Sequence, residues 1–444
     1  MSRIILSGLL IFIIVFSCLA RGAVTLVPQA IIEITAGFII SYWLIEMIIK
    51  KGISFIKVGF FIPLILFFAL IVFQLLPLPL GFLKIISPKT AALYVYLMPH
   101  GASNNFFSLS IYPYATMLEL LKIAVYFGIF FFIINKIETK GQCNLILNSI
   151  IALGTSISIY AFIQRYIQSP QGVLEPGAYG PFFNRNNFAG YINMVIPLAL
   201  GYFLYEKSPN KKTLYGFCIA MMSLALFLSL SRAGIVVYIM GLIFIWLFSR
   251  TRPALRQKTR MLTIWISVII LSFLFFVDIK VVWGALASLF KKDALVVLGH
   301  GYSWGDIMRI WRDFPVFGTG LGTFVNVSGM YKSTAFQNQF VYAHNDYLQL
   351  LSEVGLAGTL FLFLFFMQYF RSLFKVWMKR RDAYAVCMVF AATASLFVML
   401  VYSFLDFNLH IPANALLFFV IMGVAFRIAF TQFIEKDEVR PNLA

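Results

Sequence analysis

The sequence predicts an all-α polytopic membrane protein, on three observations. Of 444 residues, 61% are hydrophobic and only 12% charged, against the ~25% charge of a soluble domain, so too little charge is present to coat a globule of this size. The apolar residues gather in twelve runs, each near the ~20 residues a helix needs to cross a bilayer. Lysine and arginine concentrate in alternate connecting segments, as the positive-inside rule requires. Such a chain is neither a cytosolic enzyme nor disordered. Its four cysteines, Cys18, Cys143, Cys218 and Cys387, are dispersed in or beside apolar runs with no CxxC spacing, which excludes a disulfide scaffold and offers no metal site.

The runs lie at about 4–20, 30–49, 58–76, 117–134, 144–164, 188–205, 213–230, 234–248, 261–278, 348–370, 384–404 and 411–430. Open backbone cannot sit in lipid, so each is expected to be a helix. The first run, with Arg3 ahead of it and Ser17-Cys18-Leu19-Ala20 behind it, has the pattern of a secretory leader. Eleven further runs favour a retained first helix. With the N-terminus inside, 22 of the 35 basic residues fall on inner segments, 12 on outer ones and Lys122 within a span. The net charge of +18 thus reads as an anchor to anionic membrane lipid and not as a nucleic-acid surface. Both termini are expected on the cytoplasmic side.

Three outer segments are too long to be turns: 77–116, rich in proline; 165–187, punctuated by glycine; and 279–347. Long connections of this kind are functional or disordered, and these are too aromatic for disorder. The expected division is 1–164, N-terminal helices with loop 77–116; 165–430, the region carrying the chemistry with loop 279–347; and 431–444, a cytoplasmic tail. Within the largest loop, Trp304, Ile307, Met308 and Trp311 recur at helical spacing while Asp306, Arg309, Arg312 and Asp313 fall largely on another face. That pattern fits an amphipathic helix at the membrane surface or ordinary packing against the spans. Gly318-Thr319-Gly320-Leu321-Gly322 follows Pro315. It could bring backbone N–H groups to a phosphate, or it could be a tight turn.

Polar residues collect at the outer boundary. His344-Asn345-Asp346 precedes the tenth run and Glu353 follows at span depth. Asn345 or Asp346 can cap a helix there, but one cap does not account for His, Asn, Asp, Gln and Glu together, and ionisable groups at that depth are costly enough to suggest function. Asn184-Arg185-Asn186-Asn187 precedes the sixth run, and Ser231-Arg232-Ala233-Gly234 joins the seventh to the eighth. Arg232 stands among apolar neighbours on the side where positive charge is sparse. It reads either as a snorkelling anchor or as a ligand for a phosphate, which the guanidinium fork matches bidentately.

In this order the clusters resemble the O-antigen ligase and polymerase superfamily of bacterial envelope glycosyltransferases. The resemblance is carried by Gly180-Pro181-Phe182-Phe183-Asn184-Arg185-Asn186-Asn187, by Ser229-Leu230-Ser231-Arg232-Ala233-Gly234, by Trp304 to Phe324, and by the stretch from His344 to Gly358. It covers about 180–425; the first 120 residues match only as hydrophobic helices. It implies a GT-C-like inner-membrane enzyme that takes a glycan from undecaprenyl diphosphate at the periplasmic face, without metal or other cofactor. Ligases pass the glycan to lipid A-core, polymerases to another lipid-linked repeat, and relatives to protein. By position, Arg232 would hold the diphosphate and His344 would be the base, with Arg185, Asn184, Asn187, Asn345, Asp346 and Glu353 around the substrate. Asn345 or Asp346 would orient the histidine ring or the sugar. Relatives often carry a further arginine about four residues before the tryptophan matching Trp304. Here that position is His300, so His300 replaces it, or Arg309 or Arg312 serves. Twelve spans with one dominant loop before the tenth resemble the ligases more than the polymerases, which stay open as the alternative. A transporter of lipid-linked glycan is the rival class, but it would hold its polar residues near the midplane.

Overall fold

The computed structural model describes residues 3–49, 59–98, 105–167, 179–253, 255–257, 259, 304–332 and 341–433. The ninth expected run, 261–278, and His300 lie outside the described residues. The other eleven runs are helices. They are α1 (Arg3–Leu19), α2 (Leu26–Ile49), α3 (Phe61–Leu75), α6 (Pro113–Lys136), α7 (Lys140–Ile167), α8 (Arg185–Tyr205), α9 (Pro209–Leu228), α10 (Arg232–Ser249), α13 (Asp346–Lys379), α14 (Ala383–Tyr402) and α15 (Pro412–Phe430). Among the described residues, nine of these are long and apolar enough to cross a bilayer, and α1 and α3 are shorter apolar helices. The protein is therefore an all-α polytopic membrane protein.

Helices α8, α14 and α15 form the centre and are buried almost all round, whereas α2, α10 and α13 keep much of their apolar surface outward. Small residues set the close approaches. A Cβ on Gly201 of α8 would lie 2.6 Å from Ala391 of α14, and one on Gly234 of α10 would lie 2.6 Å from Ala189 of α8. Without a hydrophobic drive between helices in lipid, this backbone proximity and the resulting van der Waals contact hold spans together.

The connections sort into two ends. At one end lie the cationic loops, where Lys136 pairs with Glu46 (2.6 Å) and the Arg252 guanidinium donates to Arg380 O (2.8 Å) and to Trp377 O. The other end carries the long segments. The described part of loop 77–116 holds two short antiparallel strands, β1 (Leu78–Pro79) and β2 (Phe106–Phe107), with α4 (Leu80–Ile86) and α5 (Pro88–Leu97) between them in sequence. The described part of the largest loop holds α11 (Trp304–Asp313) and α12 (Phe324–Ser328). In α11 the buried stripe is Ile307, Ile310 and, just beyond, Phe314, packed with Phe324, Val327 and Ala343. Of the expected apolar face, Ile307 is buried and Trp304 is 41% exposed. The 3–4 spacing of the two isoleucines and Phe314 finds protein to pack on, so α11 is a packed helix whose indoles lie at its margin.

The feature that fixes this end is a break in α13. Gly355 adopts φ 63°, ψ −169°, a region essentially restricted to glycine. The backbone groups the break releases cannot stay unpaired at membrane depth. Segment 315–322 takes them: Leu356 N donates to Pro315 O (2.9 Å), Ala357 N to Val316 O (3.1 Å), Thr319 N to Ser352 O (3.0 Å) and Gly320 N to Glu353 O (2.9 Å). Buried Gln74 of α3 closes the joint. Its amide donates to Phe317 O (2.6 Å) and Glu353 O (3.0 Å) and accepts from Leu321 N (3.2 Å). Gly318 sits at φ 70° with its Cα against the Glu353 carbonyl. Gly318→Ala is expected to cost more than the ~1–2 kcal/mol of a left-handed non-glycine residue, because its Cβ also meets backbone; a fall in the thermal midpoint of the detergent-solubilised protein, much larger than for Gly329→Ala where a Cβ meets nothing, is the check.

Candidate active site

The site grows from the first turns of α13, α8 and α10 and from the loop between α14 and α15. Asn345 caps α13, its side chain accepting from Leu348 N (3.0 Å) and donating to Phe404 O (3.1 Å). His344, just before the cap, has φ 50°. A non-glycine residue there costs ~1–2 kcal/mol and persists only where its surroundings over-determine it. What holds it is Asp406, whose Oδ1 lies 2.9 Å from His344 Nδ1. The Asp406 side chain is 1% exposed. Its Oδ1 also accepts from Phe407 N (2.9 Å) and its Oδ2 from the Asn186 amide (2.8 Å). A carboxylate accepting at both oxygens leaves Nδ1 of the imidazole to carry the proton, which makes Nε2 the basic nitrogen. Asp406 is thus a carboxylate partner of this ring, while Asn345 caps α13 and Asp346 bonds His410.

From Asp406 the chain of bonds runs to the starts of α8 and α10. Asn186 Oδ1 accepts from Ser231 Oγ (2.7 Å), which also lies 3.0 Å from Tyr402 Oη and accepts from Gly234 N (3.1 Å) as the cap of α10. Asn184 caps α8 by accepting from Asn186 N (2.8 Å). Arg185 and Arg232 are thus the first residues of two capped helices whose starts are tied together. Each cation stands at the positive end of a helix dipole, where an anion is the favoured neighbour. Arg232 is half-buried, and among the described residues its guanidinium has no hydrogen-bond or carboxylate partner. The preceding Leu230 also has positive φ (53°), so the turn presenting Arg232 is itself constrained.

A second histidine pair lies beside the first. His410 Nδ1 is 2.7 Å from Asp346 Oδ1, and Leu409 N donates to Asp346 Oδ2 (3.2 Å). Burial alone would pull the His410 imidazole down, but the hydrogen bond and charge of Asp346, with Glu353 and Glu119 beyond it, raise it above the usual histidine value. Tyr342 stacks on Phe407 at 4.6 Å, and burial, then the Glu119, Glu353 and Asp346 carboxylates, push its phenol up to about 12.

Other expected site residues land elsewhere. Asn187 is buried toward α15, its carbonyl accepting from Asn414 (3.1 Å). The Arg309 guanidinium is engaged by Asp306 on its own helix and by Tyr331 O (2.9 Å), and Arg312 is exposed on α11. Glu353 is buried, and its Oε2 accepts from Gly322 N (2.8 Å) while its Oε1 accepts from Phe324 N (3.2 Å) and Gln349 Nε2 (3.1 Å). The glycine string therefore makes the tight turn, and the anion at its end, met by the Gly322 and Phe324 amides, is the protein's own carboxylate. Sequence reasoning missed Asp406 and His410. Their signal was a polar Asp-x-Asn-x-His segment between two strongly apolar runs. Glu353→Ala strips acceptors from buried donors at ~1–3 kcal/mol each, so its thermal midpoint is expected to fall well below that of Glu353→Gln, which keeps one acceptor oxygen.

A family model described as O-antigen ligase matches residues 217–363. The match takes in the turn that presents Arg232, helix α11, His344 and the break in α13, and ends before Asp406. No curated protein matches the chain. Over that stretch, which includes Arg232 and His344, the chain is similar to the O-antigen ligase family.

Proposed function

We propose that the protein is an inverting glycosyltransferase of the O-antigen ligase type. It moves a glycan from undecaprenyl diphosphate to lipid A-core at the periplasmic face of the inner membrane. One observation carries this reading: the run of hydrogen bonds His344–Asp406–Asn186–Ser231 joins a poised imidazole to the two helix starts that bear Arg185 and Arg232. The cationic loops gather at the opposite end, so the positive-inside rule turns this end to the periplasm. Residues 165–430 form the catalytic region, with the helices before them as its support.

In the reaction the acceptor hydroxyl gives its proton to His344 Nε2 as its oxygen bonds to the sugar C1. The C1–oxygen bond to the diphosphate breaks, and its electron pair leaves with undecaprenyl diphosphate. A single displacement of this kind inverts the anomeric centre. Negative charge grows on the leaving diphosphate, and Arg232, with Arg185 beside it, meets that charge from two helix N-termini in a preorganised setting. Asp406 stabilises the imidazolium that forms. We assign the polyprenyl tail to the apolar surface between the helices. A cavity of about 440 Å³ between α10, α13 and α14, walled by Phe244, Phe248, Phe374 and Phe397, rises to Leu400. The Leu400 carbonyl accepts from Tyr347 Oη (2.7 Å), three residues from His344.

His344→Ala is expected to lower transfer by about 10²–10⁴-fold while membrane insertion stays unchanged; normal transfer would reject the base. Asp406→Asn should fall within the same range, about 10²–10⁴-fold, because an amide can present a donor where an acceptor is needed and so spoil the tautomer. Arg232→Lys keeps charge but loses the fork, and wild-type rates there would remove bidentate diphosphate binding. The acceptor is tested with pure protein and lipid-linked oligosaccharide. Product formed only when lipid A-core is added supports the ligase, and a ladder of longer lipid-linked chains without core makes it a polymerase.

A further inference from the structure

Two segments meet in a reciprocal exchange. The start of α13 offers His344 and Asp346, and the loop after α14 offers Asp406 and His410. His344 bonds Asp406 at 2.9 Å, and Asp346 bonds His410 at 2.7 Å. The proposed mechanism uses the first pair and leaves the second without a task. We propose that the His410–Asp346 pair is a positioning lock that seats the 403–411 loop on the first turn of α13 and thereby sets Asp406 against His344.

The contacts place the lock where such a role requires it. Asp346 N donates to Ser403 O (2.9 Å), and Asp346 Oδ2 accepts from Leu409 N, so one residue grips both ends of the loop. Between them Phe407 is wedged, stacked by Tyr342 at 4.6 Å on one side and met by the edge of His344 at 4.7 Å. His410 packs on Tyr342 at 5.0 Å, with Tyr342 and Phe407 interposed between it and His344. His410 therefore acts through the loop and not on the reacting atoms. His344 holds a left-handed backbone, which only an over-determined neighbourhood keeps, and Asp406 reaches it from a segment with just three residues of 3-10 helix, Asn408–His410. A short charge-assisted hydrogen bond at the far end of that segment supplies what the turn lacks.

The inference rests on His344 as the base, and the test separates the two. Full-length purified protein is assayed with lipid-linked oligosaccharide and lipid A-core, varying each. His410→Asn keeps a donor near the Nδ1 position and His410→Phe keeps only the ring. Asn is expected to stay within about threefold of wild type in kcat, whereas Phe loses about tenfold or more with donor KM little changed, the pattern of a lost transition-state arrangement. On an Asp406→Asn background, His410→Phe should change nothing further, since residues acting as one unit are non-additive. Phe as active as Asn, or a Phe loss that multiplies that of Asp406→Asn, overturns the lock. Should the Phe variant not fold, Asp346→Asn is read the same way: a lower kcat that vanishes on the Asp406→Asn background supports the lock, and no loss, or one that persists there, overturns it. Normal transfer by His344→Ala would instead sink the base assignment itself.

Discussion

A single buried carboxylate binds the working end of the molecule together. Asp406 lies where water does not reach, so both its oxygens must be met by donors. They are met by an imidazole before α13, an amide at the start of α8 and its own loop's backbone. Through the Asn186 amide the constraint passes to Ser231 and the start of α10. Helix ends far apart in the chain are thus held in register by the cost of leaving one charge unsatisfied. The site is rigid for an electrostatic reason before it is rigid for a packing one.

The same principle governs the other polar centre of this end. Glu353 is as buried as Asp406, but its partners are the amides of Gly322 and Phe324 and the Gln349 side chain. One carboxylate orients a histidine that faces the site, and the other closes a loop. Their neighbours decide the difference, since their burial is nearly equal. A short helical stretch, from Asn345 to Glu353, joins the two centres, and Gln349 bridges them by accepting from Ala343 N (2.9 Å) while donating to Glu353.

How much of this the sequence disclosed follows from which interactions are local. Helix positions were legible because twenty apolar residues in a row have one acceptable form in lipid. The Asn345 cap was legible because capping is satisfied within four residues. The segments that bear Arg185, Arg232 and His344 stood out as polar exceptions, and hydrogen bonds through Asp406, Asn186 and Ser231 tie them together. Asp406 was not legible, since its bond to His344 spans 62 positions, and the polar segment that holds it marks a loop without naming its partner. Glu353 carried the mark of an expensive group at depth, yet nothing local tells whether such a group meets a substrate or the chain's own amides. The amphipathic pattern of α11 was legible, but which of its apolar residues meet protein, the two isoleucines and Phe314, depends on segments distant in the chain.

The knot between segment 315–322, Gln74 and the interrupted helix has a bearing on how such proteins can diverge. Under the proposed function, acceptor choice can drift only in stretches whose backbone is not already committed. Residues 315–322 are committed at almost every peptide group, to α3 on one side and to α13 on the other. A chimera exchanging the large outer loop between two relatives would therefore need its downstream junction before Pro315, or would have to carry Gln74 and the Glu353–Gly355 corner along with the graft.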